Sequence, residues 1–327
     1  MITEKENWKR MMKGEMPEFL PKYDMLNWSV MSSAFMRERK PGVGGVDMFG
    51  VEFVPTQEGA AMPKPGKFLL DDIRKWRDVI KVPDISNIDW EALAKKDLEK
   101  KDVENNPVIL GTGGGLFQQL MSFMGFTEGC CALIEEPEEV NALLDYLNSF
   151  YLEVAKHTIR HYKPDGYYML DDNATALNPF ISRKMHRELF MPYYKTHADL
   201  ARENNLYIQM HDCGRCEDFI DDWLELGVVS WDPAQSMNDL LGIKARYGKK
   251  IVICGGWDYS GPISWLSTDD NLLKDALAEY VDTYAPGGGF AFMATVMGKP
   301  DDEDYKRKMK LIDDFYLDYA RDYYKTH

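Results

Sequence analysis

The 327-residue sequence is poor in several things, and each shortage excludes something. Its five cysteines are too few and too unevenly placed for a disulfide framework, so the thiols are expected to be reduced. Basic residues are outnumbered, 39 Lys and Arg against 54 Asp and Glu, for a net charge of -15. Phosphate backbones and anionic membrane surfaces attract clustered Lys and Arg, so this balance argues against nucleic acid and against a membrane surface as partners. Long apolar runs are missing too. The best uncharged stretch, residues 108–127, is broken by five glycines and two glutamines and is too polar to span a bilayer. Residues 1–13 are charged throughout and lack the apolar segment and small-residue cleavage site of an export signal. A cytoplasmic location is expected.

What is present is ordinary for a globular chain: 45% hydrophobic and 28% charged residues. A chain this long buries about 75% of its unfolded surface and needs no staples. Short β-rich apolar runs lie at 19–25, 49–54, 108–112, 167–170, 206–210, 228–231, 251–254 and 290–293. Between them lie helical patterns at 136–161, 182–203, 216–226, 237–247, 268–284 and 301–324. The helix at 136–161 carries Val140, Leu143, Leu144, Leu147, Tyr151 and Val154 close to a 3.6-residue period. Strands separated by helices imply parallel βαβ units. Eight strands in about 280 residues fit an α/β fold of the (β/α)8 TIM-barrel type with an N-terminal elaboration. No repeat or linker interrupts residues 1–327, so one domain is expected.

In such a barrel function sits where strands end, on the C-terminal face. Those ends are Thr112-Gly-Gly-Gly115, Asp171-Asp172, His211-Asp-Cys213-Gly214, Asp232-Pro-Ala-Gln235, Cys254-Gly-Gly-Trp257-Asp258 and Ala294-Thr295. His211 and Cys213 lie two apart, so in an extended chain an imidazole and a thiolate point to one side and can share an ion. Nitrogen and sulfur donors suit zinc. The third ligand stays open among Cys254, Cys216 and a carboxylate. Cys254 ends a later strand; Cys213-x-x-Cys216 also reads as a redox or metal pair; Asp172 is the carboxylate expected to face inward. Cys130 and Cys131 read as core. Asp172 and His211 are the candidate catalytic residues. Tyr167, Trp231, Gln235, Trp257 and Phe117 are candidates for lining a substrate pocket.

The ordered set Asn7-Trp-Lys-Arg-Met-Met-Lys-Gly-Glu15, Glu136-Pro137, Asp171-Asp172, Ile181-Ser182, Arg187-Glu188-Leu189-Phe190, Pro192-Tyr193-Tyr194-Lys195, His211-x-Cys213-Gly214 and Asp232-Pro-x-Gln235 resembles the uroporphyrinogen decarboxylase superfamily. The resemblance implies a TIM barrel. The superfamily's decarboxylases are metal-free and hold porphyrin carboxylates with an arginine-rich N-terminal segment. Here Met31-Ser-Ser-Ala-Phe-Met-Arg37 stands in that place, and Ala294-Thr-Val-Met-Gly298 lacks a histidine. The chain is more similar to the corrinoid-dependent methyltransferase branch, whose zinc motif is His-x-Cys-Gly. Members that methylate the thiol of coenzyme M take a further cysteine from the last strand, where Thr295 and Val296 stand. By analogy with aryl methyl ether demethylases, Glu188 joins the candidate ligands.

The resemblance thus implies a zinc-dependent methyltransferase moving a methyl group between a small substrate, a methoxylated aromatic, and the corrinoid of a partner protein. Two alternatives are a decarboxylase of a different small acid and a non-catalytic barrel that binds a corrinoid or aromatic ligand. A homodimer is a candidate assembly.

Overall fold

The computed structural model describes residues 2–23, 43–56, 61–111 and 115–327. The segments Met31 to Arg37 and Thr112 to Gly114 lie outside these residues. Among the described residues nine strands form two sheets. β1 (Gly45–Val46), β2 (Glu52–Pro55) and β3 (Ala61–Pro63) make a small antiparallel sheet. β4 (Ile109–Gly111), β5 (Gly166–Leu170), β6 (Tyr207–His211), β7 (Val228–Ala234), β8 (Val252–Gly255) and β9 (Phe290–Ala291) run parallel in that order.

Six of the eight expected barrel strands are therefore β4 to β9. The run at 19–25 supplies a seventh parallel segment: Phe292 N donates to Pro21 O and Tyr23 N to Phe292 O, both at 2.8 Å. The run at 49–54 is not a barrel strand. Its residues enter β2, where Phe53 pairs with Gly45 on one side and Pro63 on the other, and this sheet is the N-terminal elaboration. Asp47 closes the β1–β2 turn by accepting from Phe49 N at 2.9 Å and Val51 N at 2.8 Å, so residues 47–51 bend instead of continuing a strand. Among the described residues no pairing joins β4 to the 20–23 segment.

Helices follow the strands as expected, with two differences. The pattern at 182–203 forms two helices, Arg183–Leu189 and Met191–Glu203, broken at Phe190. Pro192 has no N–H for the carbonyl four residues back, so one continuous helix would leave that carbonyl unpaired. The pattern at 301–324 holds as an α-helix only over Glu303–Phe315, before a π turn at Tyr316–Ala320. Cys130 is half-buried and Cys131 exposed, so the pair is not core; in the helix Phe126–Glu135 the inward face belongs to Gly129, Ala132 and Leu133.

The N-terminal helix Glu4–Met12 is fixed by a Thr3–Glu6 capping box, and it buries Trp8, Met11 and Met12 against Ile109, Tyr168, Val252, Cys254 and Ala291. Lys5 and Lys9 pair with Asp165, just before β5, at 2.9 and 2.7 Å. The helix thus seals the N-terminal end of the barrel, leaving the C-terminal end for chemistry. Among the described residues no helix is long and apolar enough to cross a membrane.

Candidate metal centre

The register of three neighbouring strands builds the site. Leu170 of β5 lies beside His211 of β6, and His211 beside Asp232 of β7. Side chains alternate across a strand, so Tyr168 shares the interior face with His211 while Tyr167 and Trp231 face outward. Tyr167 places its hydroxyl 2.6 Å from His197 Nδ1 in the surrounding helix Met191–Glu203. Trp231 packs its ring against Trp223 and donates Nε1–H to Asp212 O at 3.0 Å. Both are fully buried among helices, not set around a pocket. Phe117 is likewise buried, among Phe126, Phe180 and Phe190. Trp257 is tied down by Nε1–H bonds to Ser264 Oγ at 2.8 Å and Thr295 O at 2.9 Å. Gln235 accepts from Gly214 N, so it orders the loop after β6.

Where β5 and β6 end, Asp172, His211 and Cys213 converge. His211 Nε2 is 3.6 Å from Cys213 Sγ and 3.7 Å from Asp172 Oδ1, and the three donor atoms lie within 4.8 Å of one another. Asp172 is held by two donors: Cys213 N at 2.9 Å and the Gln118 side-chain amide. Gly214 makes the turn possible. Its φ is +95°, and a Cβ there would lie 2.5 Å from Ala174 O and 2.6 Å from Thr175 O.

The other expected ligands stand elsewhere. Cys216 is buried with its thiol 3.2 Å from Cys213 O and 3.5 Å from Asp212 O, turned into its own loop. Cys254 is enclosed in the barrel, 3.3 Å from Ser230 Oγ, and burial pushes its thiol strongly upward. Glu188 lies on the exposed face of its helix with Lys184 at 3.9 Å. Asp171, neighbour of the inward Asp172, is a structural anchor. Its carboxylate accepts from Phe117 N and Gln118 N, both at 3.0 Å, and from the Tyr194 hydroxyl at 2.6 Å. Gly115 lets the helix start approach it so closely, because a Cβ there would collide with Asp171 Oδ1.

Behind His211 lies a cluster that strand-end motifs do not reveal. Asp232 Oδ2 is 2.8 Å from His211 Nδ1 and also accepts from Tyr168 at 2.9 Å and from Tyr23, while Asp232 Oδ1 accepts from Gln209 Nε2 at 2.6 Å. Burial pulls the His211 imidazole toward its neutral form, but Asp232 and the Cys213 sulfur outweigh it and hold its pKa well above the ordinary value. Burial, then Asp232, push the Tyr23 and Tyr168 phenols up. Tyr259, from the loop after β8, is pushed up to about 12 by burial and by the charges of Cys213 and Asp172. The sequence signal for Asp232 is its place directly after the apolar run 228–231; in the structure it lies within β7, paired with His211 one strand over.

One nitrogen, one sulfur and one carboxylate oxygen match the donors zinc prefers, and three protein ligands leave a position for water or substrate. A carboxylate on the far ring nitrogen is the usual support for a metal-binding histidine.

Residues 46–295 match the family model of uroporphyrinogen decarboxylase (URO-D). The chain belongs to that family. Its TIM-barrel fold agrees with the parallel strands and the sealed N-terminal end described above. No curated protein matches the sequence. Among solved structures, a methyltransferase from Methanosarcina mazei is similar over 97% of this chain and 100% of its own, with a TM-score of 0.61 and 15% identity. At that identity the likeness speaks for the shared fold. Within the URO-D fold, this chain sets an Asp172–His211–Cys213 group at the barrel mouth.

Proposed function

We propose that this URO-D family member is a zinc-dependent methyltransferase that moves a methyl group between a small methoxylated aromatic substrate and a corrinoid carried by a partner protein. The observation that carries the reading is the mixed donor set Asp172, His211 and Cys213, each partly exposed and backed by Asp232. The similarity to a solved methyltransferase supports the same reading.

His211 Nε2, Cys213 Sγ and an Asp172 oxygen would hold the metal. Zinc bound there supplies a Lewis acid that polarises the substrate's ether oxygen and eases departure of the aryl oxide. The chain's own residues do the rest. Asp232 keeps a proton on His211 Nδ1, which leaves Nε2 to face Cys213 and Asp172. Gln118 and the Cys213 amide hold Asp172 in place. Gln235 and Asn238 lace the loop that carries Cys213: Gln235 accepts from Gly214 N, and Asn238 donates to Gly214 O at 2.9 Å and accepts from Cys216 N at 2.9 Å. This rigidity orients a bound substrate for in-line transfer. Tyr259, near enough to feel the charges of Cys213 and Asp172, would add an aromatic ring beside the metal.

The test is methyl transfer from methoxylated aromatics to free cob(I)alamin, followed by its visible absorbance. The reading predicts turnover with zinc-loaded protein and none with the His211→Ala, Cys213→Ala variant. Carbon dioxide release from a small acid by metal-free protein, with no methyl transfer, would favour the decarboxylase instead.

A further inference from the structure

We infer that Tyr23 and Tyr168 are positioning residues of the metal centre, acting through Asp232 to aim His211; the inference rests on the zinc reading above. Asp232 is a fully buried carboxylate, and a buried charge persists only when it is paired and hydrogen-bonded. Among the described residues its only ion-pair neighbour is His211. The rest of its satisfaction comes from neutral donors: two phenols on Oδ2 and the Gln209 amide on Oδ1. Neutral donors stabilise the carboxylate without neutralising it, so its charge stays directed at the Nδ1–H of His211.

The two phenols do different work. Tyr168 touches both partners, 2.7 Å from His211 Nδ1 and 2.9 Å from Asp232 Oδ2, so it fixes the ring's plane as well as the carboxylate. Tyr23 approaches from the 20–23 segment, which is pinned to Phe292 by its own N–H at 2.8 Å. It therefore ties a chain segment about 200 residues away in sequence to the carboxylate on β7. Among the described residues neither hydroxyl hydrogen-bonds to Asp172 or Cys213; both bond to the Asp232 carboxylate behind His211. Gln209 turns its Nε2 to Asp232 although its Oε1 is then buried without a hydrogen-bond partner.

The experiment compares wild type, Tyr23→Phe, Tyr168→Phe, the double variant and a control, Tyr151→Phe. The control also deletes a buried hydroxyl, bonded at 3.2 Å to Gln119 Oε1, which among the described residues makes no hydrogen bond to Asp232, His211, Asp172 or Cys213. Zinc affinity is measured by competition with a chromophoric chelator, and ligand geometry by the visible absorption of the cobalt(II)-loaded proteins. Each site variant should bind zinc about tenfold more weakly and the double variant nearer 100-fold, with a shifted cobalt spectrum, as supporting residues behind a metal-bound histidine typically do. The control should change neither. Wild-type affinity and spectrum in a folded double variant would overturn the inference. If the double variant does not fold, the single Tyr168→Phe decides by the same two readings. If wild type itself takes up no metal, the zinc reading fails on its own account. The His211 Nδ1–H proton resonance of metal-free protein then tests positioning: slow exchange in wild type, lost in Tyr168→Phe, upholds it, and equal exchange in both refutes it.

Discussion

Replacing Gly214 by alanine perturbs the site through the backbone alone. At φ +95° an L residue is strained, by about 1–2 kcal/mol in the left-handed region. The added Cβ would also sit 2.5 Å from Ala174 O and 2.6 Å from Thr175 O. Both are backbone atoms that cannot rotate away, and overpacking of this kind typically adds about 1–3 kcal/mol. The Thr175 carbonyl already accepts from Arg215 N at 2.8 Å, so the two loops must separate together. The sum is roughly 2–5 kcal/mol, which for a chain of this size lowers the thermal midpoint by about 3–7 °C. Cys213 precedes Gly214, so the same movement pulls its sulfur from His211 Nε2 and weakens zinc binding. Differential scanning calorimetry and zinc titration read the two effects. An alanine variant with an unchanged midpoint and unchanged zinc affinity would refute the reasoning.

Three other outcomes are expected. Asp171→Ala strands the Phe117 and Gln118 amides and the Tyr194 hydroxyl without an acceptor, so urea denaturation should show a loss of at least about 3 kcal/mol, and Asp171→Asn a smaller one. His197 is held down to about 4 by burial, below its unfolded value of 6.5. The unfolded state therefore binds the extra proton first, so this stability is present above pH 6.5 and lost as pH falls toward 4, by roughly 3 kcal/mol in all. A His197→Gln variant should show a flatter stability profile between those values, and an equally steep one would contradict the assignment. Stripping zinc with a chelator should lower the thermal midpoint, since saturation at a thousand times Kd is worth about 4 kcal/mol; the His211→Ala, Cys213→Ala variant should not respond.

The parallel strands were legible because strands covered on both faces read as apolar runs with polar residues at their ends, and β5 to β9 begin within a residue or so of those runs. The same property hid which way each side chain faces. Composition makes Tyr167 and Trp231 pocket candidates, while the adjacent Tyr168 and Asp232 hold the interior positions. A strand apolar on both faces carries no alternation to decide between them. His211, Cys213 and Asp172 were legible as candidates because they lie at or within two residues of strand ends and carry metal-ligand chemistry. Cys254 looked equivalent by that rule, yet it lies enclosed beside Ser230. The antiparallel turn at 47–51 depends on one aspartate accepting two amides, which hydrophobic patterning does not register.

The central claim is that Asp172, His211 and Cys213 hold a zinc ion. It is tested most directly by metal analysis of tag-free protein by mass spectrometry, beside the His211→Ala, Cys213→Ala variant. The account predicts about one zinc per chain in the wild type and its loss in the variant. Substoichiometric metal, unchanged by the two substitutions, would contradict it.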